Sequence, residues 1–428
     1  MLGKWISRRP WRIPNNPLVG KSPPRKFLSQ SSATRQRNQI IPRGIHTARD
    51  RLLAPVNGRR GARTLFTESI PSILVPPAIF IGLLLALWTW KCFWIVVLQD
   101  RLLYLSWLPP LSRSENISDY EGEFRGVQWT EKRIRSLDGT KLALCEGRFP
   151  SKPSEGSVVQ RKKSVVICYF QGNGGSTPLR LPLLSQVMCA IKEASGSSDT
   201  NHVEYVVVAL SYRGYWKSSG RATQSGIETD AQAFLEWVRE TYATPDTDLQ
   251  VVLWGHSLGA AVASAATVTH LARTPSKGPS KEETSPGTVA LPIAGLILEA
   301  PISSIKDMLI SLYPQKWLPY RYLWPFSWNT WDVAATLERL AQYKKGIPSS
   351  TALSVGNAST VPPILLMSAE NDEVIPLWVA DHLEERARNL HHDVKRKNVK
   401  AALHVEGPLK VDGRNALVDF ILRVSGSK

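Results

Sequence analysis

Cysteine is scarce in this 428-residue chain. Its four residues, Cys92, Cys145, Cys168 and Cys189, are too few and too scattered for a disulfide framework or a zinc knuckle. They read as buried thiols rather than ligands. No internal repeat is found. Acid is almost missing from residues 1–64, which hold 15 Lys/Arg against Asp50 alone, a net of +14 out of the chain's +17. The other 364 residues carry 38 bases and 35 acids, a net of +3. That balance excludes a basic groove across a folded body, so no nucleic-acid partner is expected. A hydrophobic content of 43% with 15 Trp excludes wholesale disorder.

What residues 1–64 do have is Arg, Ser and Pro, the composition of a mitochondrial presequence. Arg43-Gly44-Ile45-His46-Thr47 resembles a matrix-protease cleavage site. The prolines at 10, 14, 17, 23 and 24 work against an amphipathic signal helix. A disordered basic arm on an anionic membrane is the alternative. Residues 73–98 (ILVPPAIFIGLLLALWTWKCFWIVVL) follow, with no charge before Lys91. At ~1.5 Å per residue they reach roughly 39 Å as helix, enough to cross a ~30 Å hydrocarbon layer. Pro76 and Pro77 suit a helix start, and Trp88, Trp90 and Trp94 suit an interfacial belt. Lys91 can snorkel if the span is centred near Gly82. Arg59, Arg60 and Arg63 would hold the N-terminus on the cytosolic or matrix side. The expectation is a single-pass membrane protein, in the mitochondrial inner membrane by preference and the endoplasmic reticulum membrane otherwise.

From residue 120 to 428 the texture is α/β. Val127–Ser136 and Lys141–Gly147 read as strands joined by a hairpin at Asp138-Gly139. Buried strands then alternate with helices: Ser164–Phe170, Tyr205–Tyr212, Gln250–Trp254, Gly295–Glu299, Pro363–Ser368 and Lys400–Glu406. Runs such as VVICYF, VVVAL and VVLW are apolar on both faces, as a parallel sheet between two helix layers requires. Ser225-Gly-Ile-Glu228 reads as a capping box for a helix with Ile227, Ala231, Phe234, Leu235, Val238 and Tyr242 on one stripe. Residues 272–288 and 345–360 read as low-complexity surface insertions.

Strand Gln250–Trp254 runs straight into Gly255-His-Ser257-Leu-Gly259 and then an Ala-rich helix. This is G-x-S-x-G in the strand–turn–helix setting that gives it meaning. A Cβ at Gly255 or Gly259 would collide with the neighbouring strand and helix. The turn exposes Ser257 Oγ and aims a helix N-terminus at developing charge. Such a serine needs a base and an orienting acid, in the chain order Ser, acid, His. Asp372 lies in the loop after the next-to-last strand, with Glu370 and Glu373 as competitors. His404 is the one histidine beyond Asp372 at a strand end. His382, His391 and His392 fall on or just after a charged helix and read as solvated, and His256 as structural. The Gly-rich turn Gln171-Gly-Asn-Gly-Gly175 supplies an oxyanion donor at Asn173 N–H, with a second at Leu258 N–H. A phosphate nest is disfavoured because no Lys-Ser/Thr follows.

These motifs, with Ser211-Tyr-Arg-Gly-Tyr-Trp-Lys-Ser-Ser-Gly220, Glu228-Thr-Asp230 and Leu298-Glu-Ala-Pro301, resemble the α/β-hydrolase superfamily over roughly residues 125–425. The nearest group is the membrane-anchored, serine aminopeptidase-like one with monoacylglycerol and lysophospholipid lipases. Gln171 stands where that group usually has His, and Trp216 where it has Gly. The resemblance implies a mostly parallel sheet with helices on both faces, a small cap at about 301–345, and a Ser257–Asp372–His404 triad. It implies no metal and no organic cofactor. The cap segment crowds Trp317, Trp324, Trp328 and Trp331 into 15 residues, either as an apolar lid or as packing. The expected activity is hydrolysis of a lipid ester or thioester drawn from the membrane. A peptidase and a non-enzymatic hydrolase-fold protein are the alternatives. Asn116-Ile-Ser118 and Asn357-Ala-Ser359 are glycosylation sequons that would report a lumenal domain.

Overall fold

The structure is a computed structural model and describes residues 71–150, 162–196, 203–273, 291–345 and 361–427. The basic arm, Asn357 and almost all of both low-complexity insertions lie outside the described residues. Helix α1 (Val75–Val97) continues a short 3-10 turn at Ser72–Leu74, and none of its residues is buried. The 26 residues Ser72–Val97 are long and apolar enough to cross a membrane. Pro76 and Pro77 fall in its first turn, where a missing N–H costs no hydrogen bond. A short helix α2 (Gln99–Leu103) follows at once.

The body is one eight-stranded sheet in the order β1-β2-β4-β3-β5-β6-β7-β8. Strands β1 (Gln128–Arg135) and β2 (Lys141–Arg148) form the antiparallel hairpin at its edge. Gly139 takes φ +85° in that turn, while Asp138 Oδ1 accepts the Thr140 N–H at 3.1 Å. Then come β3 (Lys162–Phe170), α3 (Leu181–Ala194), β4 (Val203–Ser211), α4 (Gln224–Tyr242), β5 (Thr247–His256) and α5 (Leu258–Arg273). They are followed by β6 (Ile293–Glu299), α6 (Ile305–Leu312), α7 (Val333–Lys345), β7 (Ile364–Ala369), α8 (Leu377–Asn389), β8 (Val394–Val399) and α9 (Val411–Val424). From β4 to β8 every neighbouring pair is parallel. The crossover helices therefore cover both faces. One apolar core lies under α3 and α9, the other under α4, α5, α7 and α8.

Two local readings are corrected. The last strand is Val394–Val399, not Lys400–Glu406, which forms turns instead. Helix α4 is capped by Thr223, whose side chain accepts the Gly226 N–H at 3.2 Å, so Ser225 and Glu228 lie inside the helix. Its six-residue stripe is buried as the periodicity requires. Asp230 on the same helix is fully buried and clamps Arg213 (Nη2 to Oδ1 2.7 Å), which also reaches Asp138 at 2.7 Å. This clamp ties the β4–α4 turn to the hairpin. Of the cysteines, Cys145 and Cys168 are buried as read, but Cys92 and Cys189 are only half-buried.

Candidate active site

Parallel strands send their C-terminal ends to one edge of the sheet, so the loops after β3, β5, β7 and β8 gather there. Phe170 is registered against Gly255, which sets the Gly-rich turn beside the Ser257 turn. Ser257 has φ +54°, a conformation unfavourable for a residue with a Cβ. It is held there by its own N–H donating to Glu299 O at 2.8 Å and its carbonyl accepting from Ala260 N at 3.0 Å. Both glycines are sterically required. A Cβ on Gly255 would stand 2.2 Å from Gly259 O, and one on Gly259 2.0 Å from Phe170 O. Leu258 is the first residue of α5, so its amide has no preceding helical carbonyl to serve.

Asp372 and His404 are brought together although the strand before His404 was misplaced. The Asp372 carboxylate accepts from His404 Nδ1 at 2.8 and 3.0 Å, which leaves Nε2 as the acceptor nitrogen. The Asp372 side chain also accepts the Val374 and Ile375 N–H groups at 2.8 and 2.7 Å, so its direction is fixed. Glu370 and Glu373, the competing acids, hold backbone instead. They accept from Ala401 N at 2.9 Å and from His404 N at 3.0 Å. Ser257 and His404 are both buried, but no hydrogen bond joins Ser257 Oγ to the imidazole among the described residues. His256 bridges the two loops. Its ring lies 5.0 Å from the His404 ring, and its Nε2 is 3.2 Å from His404 O, an acceptor, so Nε2 carries the proton. Burial, with Arg180 adding to it, pushes His256 well below the usual histidine range and keeps it neutral. His392 is not solvated as expected; it is buried, with Nε2 on Leu337 O at 2.9 Å. His382 and His391 are exposed.

The Gly-rich turn shows what the sequence did not. Asn173 bonds its side chain to the segment that follows α1. Its Oδ1 accepts from Leu105 N at 2.8 Å and from Tyr215 OH at 3.1 Å, and its Nδ2 donates to Leu103 O. Gly175 N donates to Leu108 O at 2.7 Å. Further along, Tyr212 OH holds Gln171 O at 2.8 Å. The same segment grips the region between α6 and α7. Gln99 Oε1 accepts from Trp328 N at 3.0 Å, Asp100 Oδ1 from Asn329 Nδ2 at 2.9 Å, and Tyr104 OH donates to Asn329 Oδ1 at 2.7 Å. Gln99–Leu108 is thus a strap between the membrane-type helix, the cap segment and the oxyanion-type turn. Two polar residues, Gln99 and Asp100, ending an apolar run were the one available signal for it. The Trp-rich segment divides between its two readings. Trp331 is buried and donates to Tyr104 OH at 2.9 Å, whereas Trp317, Trp324 and Trp328 are exposed. A cleft of about 530 Å³ lined by Lys132, Glu146, Arg148 and Trp237 shares no residue with these loops.

A model of the "Alpha/beta hydrolase family" matches residues 185–398. Among curated proteins, "Protein bem46" of Schizosaccharomyces pombe is 25% identical over 65% of this chain and 71% of its own. "Lysophosphatidylserine lipase ABHD12" of Xenopus tropicalis is 31% identical over 44% of this chain and 39% of its own. Among solved structures, one from a study of two fungal esterases from Rhizomucor miehei is 18% identical, with a TM-score of 0.45, covering 74% of this chain and 90% of that one.

Proposed function

We propose, since this chain belongs to the alpha/beta hydrolase family, that it is a membrane-held serine hydrolase of lipid acyl esters. Ser257 is the nucleophile, His404 the base and Asp372 the acid that orients it. The observation that carries the reading is the Asp372 carboxylate on His404 Nδ1 at 2.8 Å, on loops beside a serine held at φ +54°. His404 Nε2 takes the Ser257 proton as Oγ attacks the ester carbonyl. The Asn173 and Leu258 N–H groups receive the charge that forms on the carbonyl oxygen. His404 then protonates the departing alcohol oxygen, leaving an acyl-Ser257. Water, deprotonated by His404, attacks that ester and releases the acid, and the proton returns to Ser257. A rotation of Ser257 or His404 closes their hydrogen bond when substrate enters, as unliganded sites of this kind commonly require.

The lipid-like substrate class is supported by the apolar helix beside the site and by the lysophosphatidylserine lipase among the relatives. The proposed division is a basic arm at 1–64, a span at 73–98 and a hydrolase domain at 120–428 with its cap at about 301–345. A fluorophosphonate probe tests the chemistry. It should label the wild type and not Ser257→Ala, and a folded wild type that takes no label would refute it. A panel of lysophospholipids, monoacylglycerols and thioesters, run with the same control, then fixes the head group. Asn116 is exposed, so a shift on endoglycosidase treatment would report a lumenal domain, and mapping the mature N-terminus would report a cleaved presequence.

A further inference from the structure

We infer that the segment between α6 and α7 is a wedge seated in the membrane interface, so that a bilayer lipid reaches Ser257 without passing through bulk water. The inference rests on the reading of α1 as a membrane span. The starting observation is contact between the wedge and α1. The Trp317 ring lies 5.8 Å from the Trp88 ring, and Lys91 Nζ stands 4.3 Å above the Tyr320 ring. Just past α1, Gln99 and Asp100 of α2 bond Trp328 and Asn329. These contacts run from Trp88 in the second half of α1 to Asp100 in α2 and fix the depth of α1 against the wedge. A hydrocarbon layer of ~30 Å takes up about 20 helical residues, so a span that begins at Ser72 ends near Lys91 and Cys92. Trp317 and Tyr320 therefore sit where hydrocarbon gives way to head groups. A ring under Lys91 is a suitable partner there, because a cation over an aromatic face gains attraction in a poorly hydrated place.

The surface of the wedge matches that placement. Trp317 is 66% exposed, Phe326 63%, Trp328 56% and Leu312 55%. Helix α6 (IKDMLISL) buries none of its residues, although most are apolar. Lys306 Nζ lies 4.9 Å over the Trp324 ring, which pairs a cation with an aromatic face in a segment rich in aromatic rings. Large exposed apolar side chains this numerous in one short segment call for a cover. The ring contacts with α1 supply the choice of bilayer over protein, since the wedge then adjoins a helix that itself needs lipid. The strap carries the same network on to the Gly-rich turn through Asn173, so the wedge and the site are braced together.

The test uses the full chain in phosphatidylcholine vesicles containing a lipid with a diazirine close to its ester. Adducts are mapped by mass spectrometry after irradiation. Adducts on both residues 72–97 and residues 312–328 are expected. The double variant Trp317→Asp, Phe326→Asp should lose the second set and keep the first, while Ser257 labelling in the same sample shows that the domain is folded. Adducts confined to 72–97 in the wild type, or a second set that the variant leaves unchanged, would overturn the wedge. Loss of the 72–97 set would overturn the span beneath it. Cap adducts without Ser257 labelling would leave the wedge standing and count against the hydrolase reading alone.

Discussion

Asn173→Ala separates a structural contact from a catalytic one. The substitution deletes three hydrogen bonds and strands the Leu105 N–H, the Leu103 carbonyl and the Tyr215 hydroxyl. Tyr215 is fully buried, while the two backbone groups are half-buried. A buried group that loses its partner costs about 1–3 kcal/mol, and half-exposed groups recover part of that from water. The sum is a loss of about 2–4 kcal/mol, seen as a fall of several degrees in Tm. The turn keeps two other tethers, Gly175 N to Leu108 O and Tyr212 OH to Gln171 O, so it should loosen without unfolding.

Loosening matters if the Asn173 N–H is an oxyanion donor. A misplacement of about 1 Å costs on the order of 10²-fold in rate, and complete loss of one donor about 10²–10³-fold. Because the donor meets charge that exists only in the transition state, kcat on a short soluble ester should fall about 10²-fold while KM changes little. Tyr215→Phe removes one of the three bonds and should give a smaller fall in the same direction. A variant whose Tm drops while kcat stays at the wild-type value would refute the assignment of Asn173. It would mean that the strap supports the fold and that the oxyanion donor lies elsewhere.

Gly259→Ala places a methyl 2.0 Å from the Phe170 carbonyl, where only backbone can yield. It should abolish both soluble expression and Ser257 labelling; normal labelling would show that the turn is not as packed as described. Asp230→Ala leaves Arg213 without its buried partner, although Asp138 still reaches it. Breaking a buried pair on one side costs about 3–5 kcal/mol, to be read as a fall in Tm with the Ser257 labelling rate of the surviving folded fraction unchanged. Glu299 is buried, and burial pushes its carboxyl up to about 8 against an offset from the Trp254 N–H, which donates to Oε2 at 2.8 Å. Between the ordinary carboxylate range and about pH 8 the folded protein keeps a proton that the unfolded chain has released, so stability falls as pH rises through that window. At ~1.4 kcal/mol per pH unit, the loss reaches on the order of 3 kcal/mol by pH 7. Glu299→Gln keeps the Trp254 bond and removes the titration, so its Tm should match wild type in acid and exceed it at pH 8; parallel Tm–pH curves would show that Glu299 does not titrate there.

The parts of the fold and site that were legible in the sequence are those specified locally. The Ser257 turn was legible because a strand, two close-packing glycines and a helix follow within a few residues, and each constrains the next. Asp372 was legible from its position after an apolar strand and before Pro376. His404 was reached by chain order while its strand was misread. The true strand, Val394-Lys-Arg-Lys-Asn-Val399, pairs with β7 alone among the described residues, at the sheet edge. An edge strand needs little burial and tolerates charge, so its sequence looks like a loop. The short apolar run within Lys400–Glu406 reads as a strand, but the segment forms turns. His392 looked solvated because charge surrounds it in sequence, yet the helix end turns its ring into a contact with α7 that no local pattern encodes.

The strap was invisible for the same reason, carried further. Leu105 and Asn173 are 68 positions apart, and Asp100 and Asn329 are 229. Each contributes one polar group, which alone is indistinguishable from surface polarity. Their meaning depends on the sheet first bringing the Gly-rich turn, the cap segment and the end of α1 to one edge. Once there, the backbone groups of Leu103, Leu105 and Leu108 would otherwise be left half-buried and unpaired, and Asn173 and Gly175 supply what they lack. A chain that needed only to be moored could leave its membrane helix through a loose linker. This one holds the Gln99–Leu108 strap to the cap segment and to the Gly-rich turn by a network of side-chain and backbone bonds, so that, on the proposed reading of α1 as a span, the position of the site relative to the bilayer is itself part of what the fold specifies.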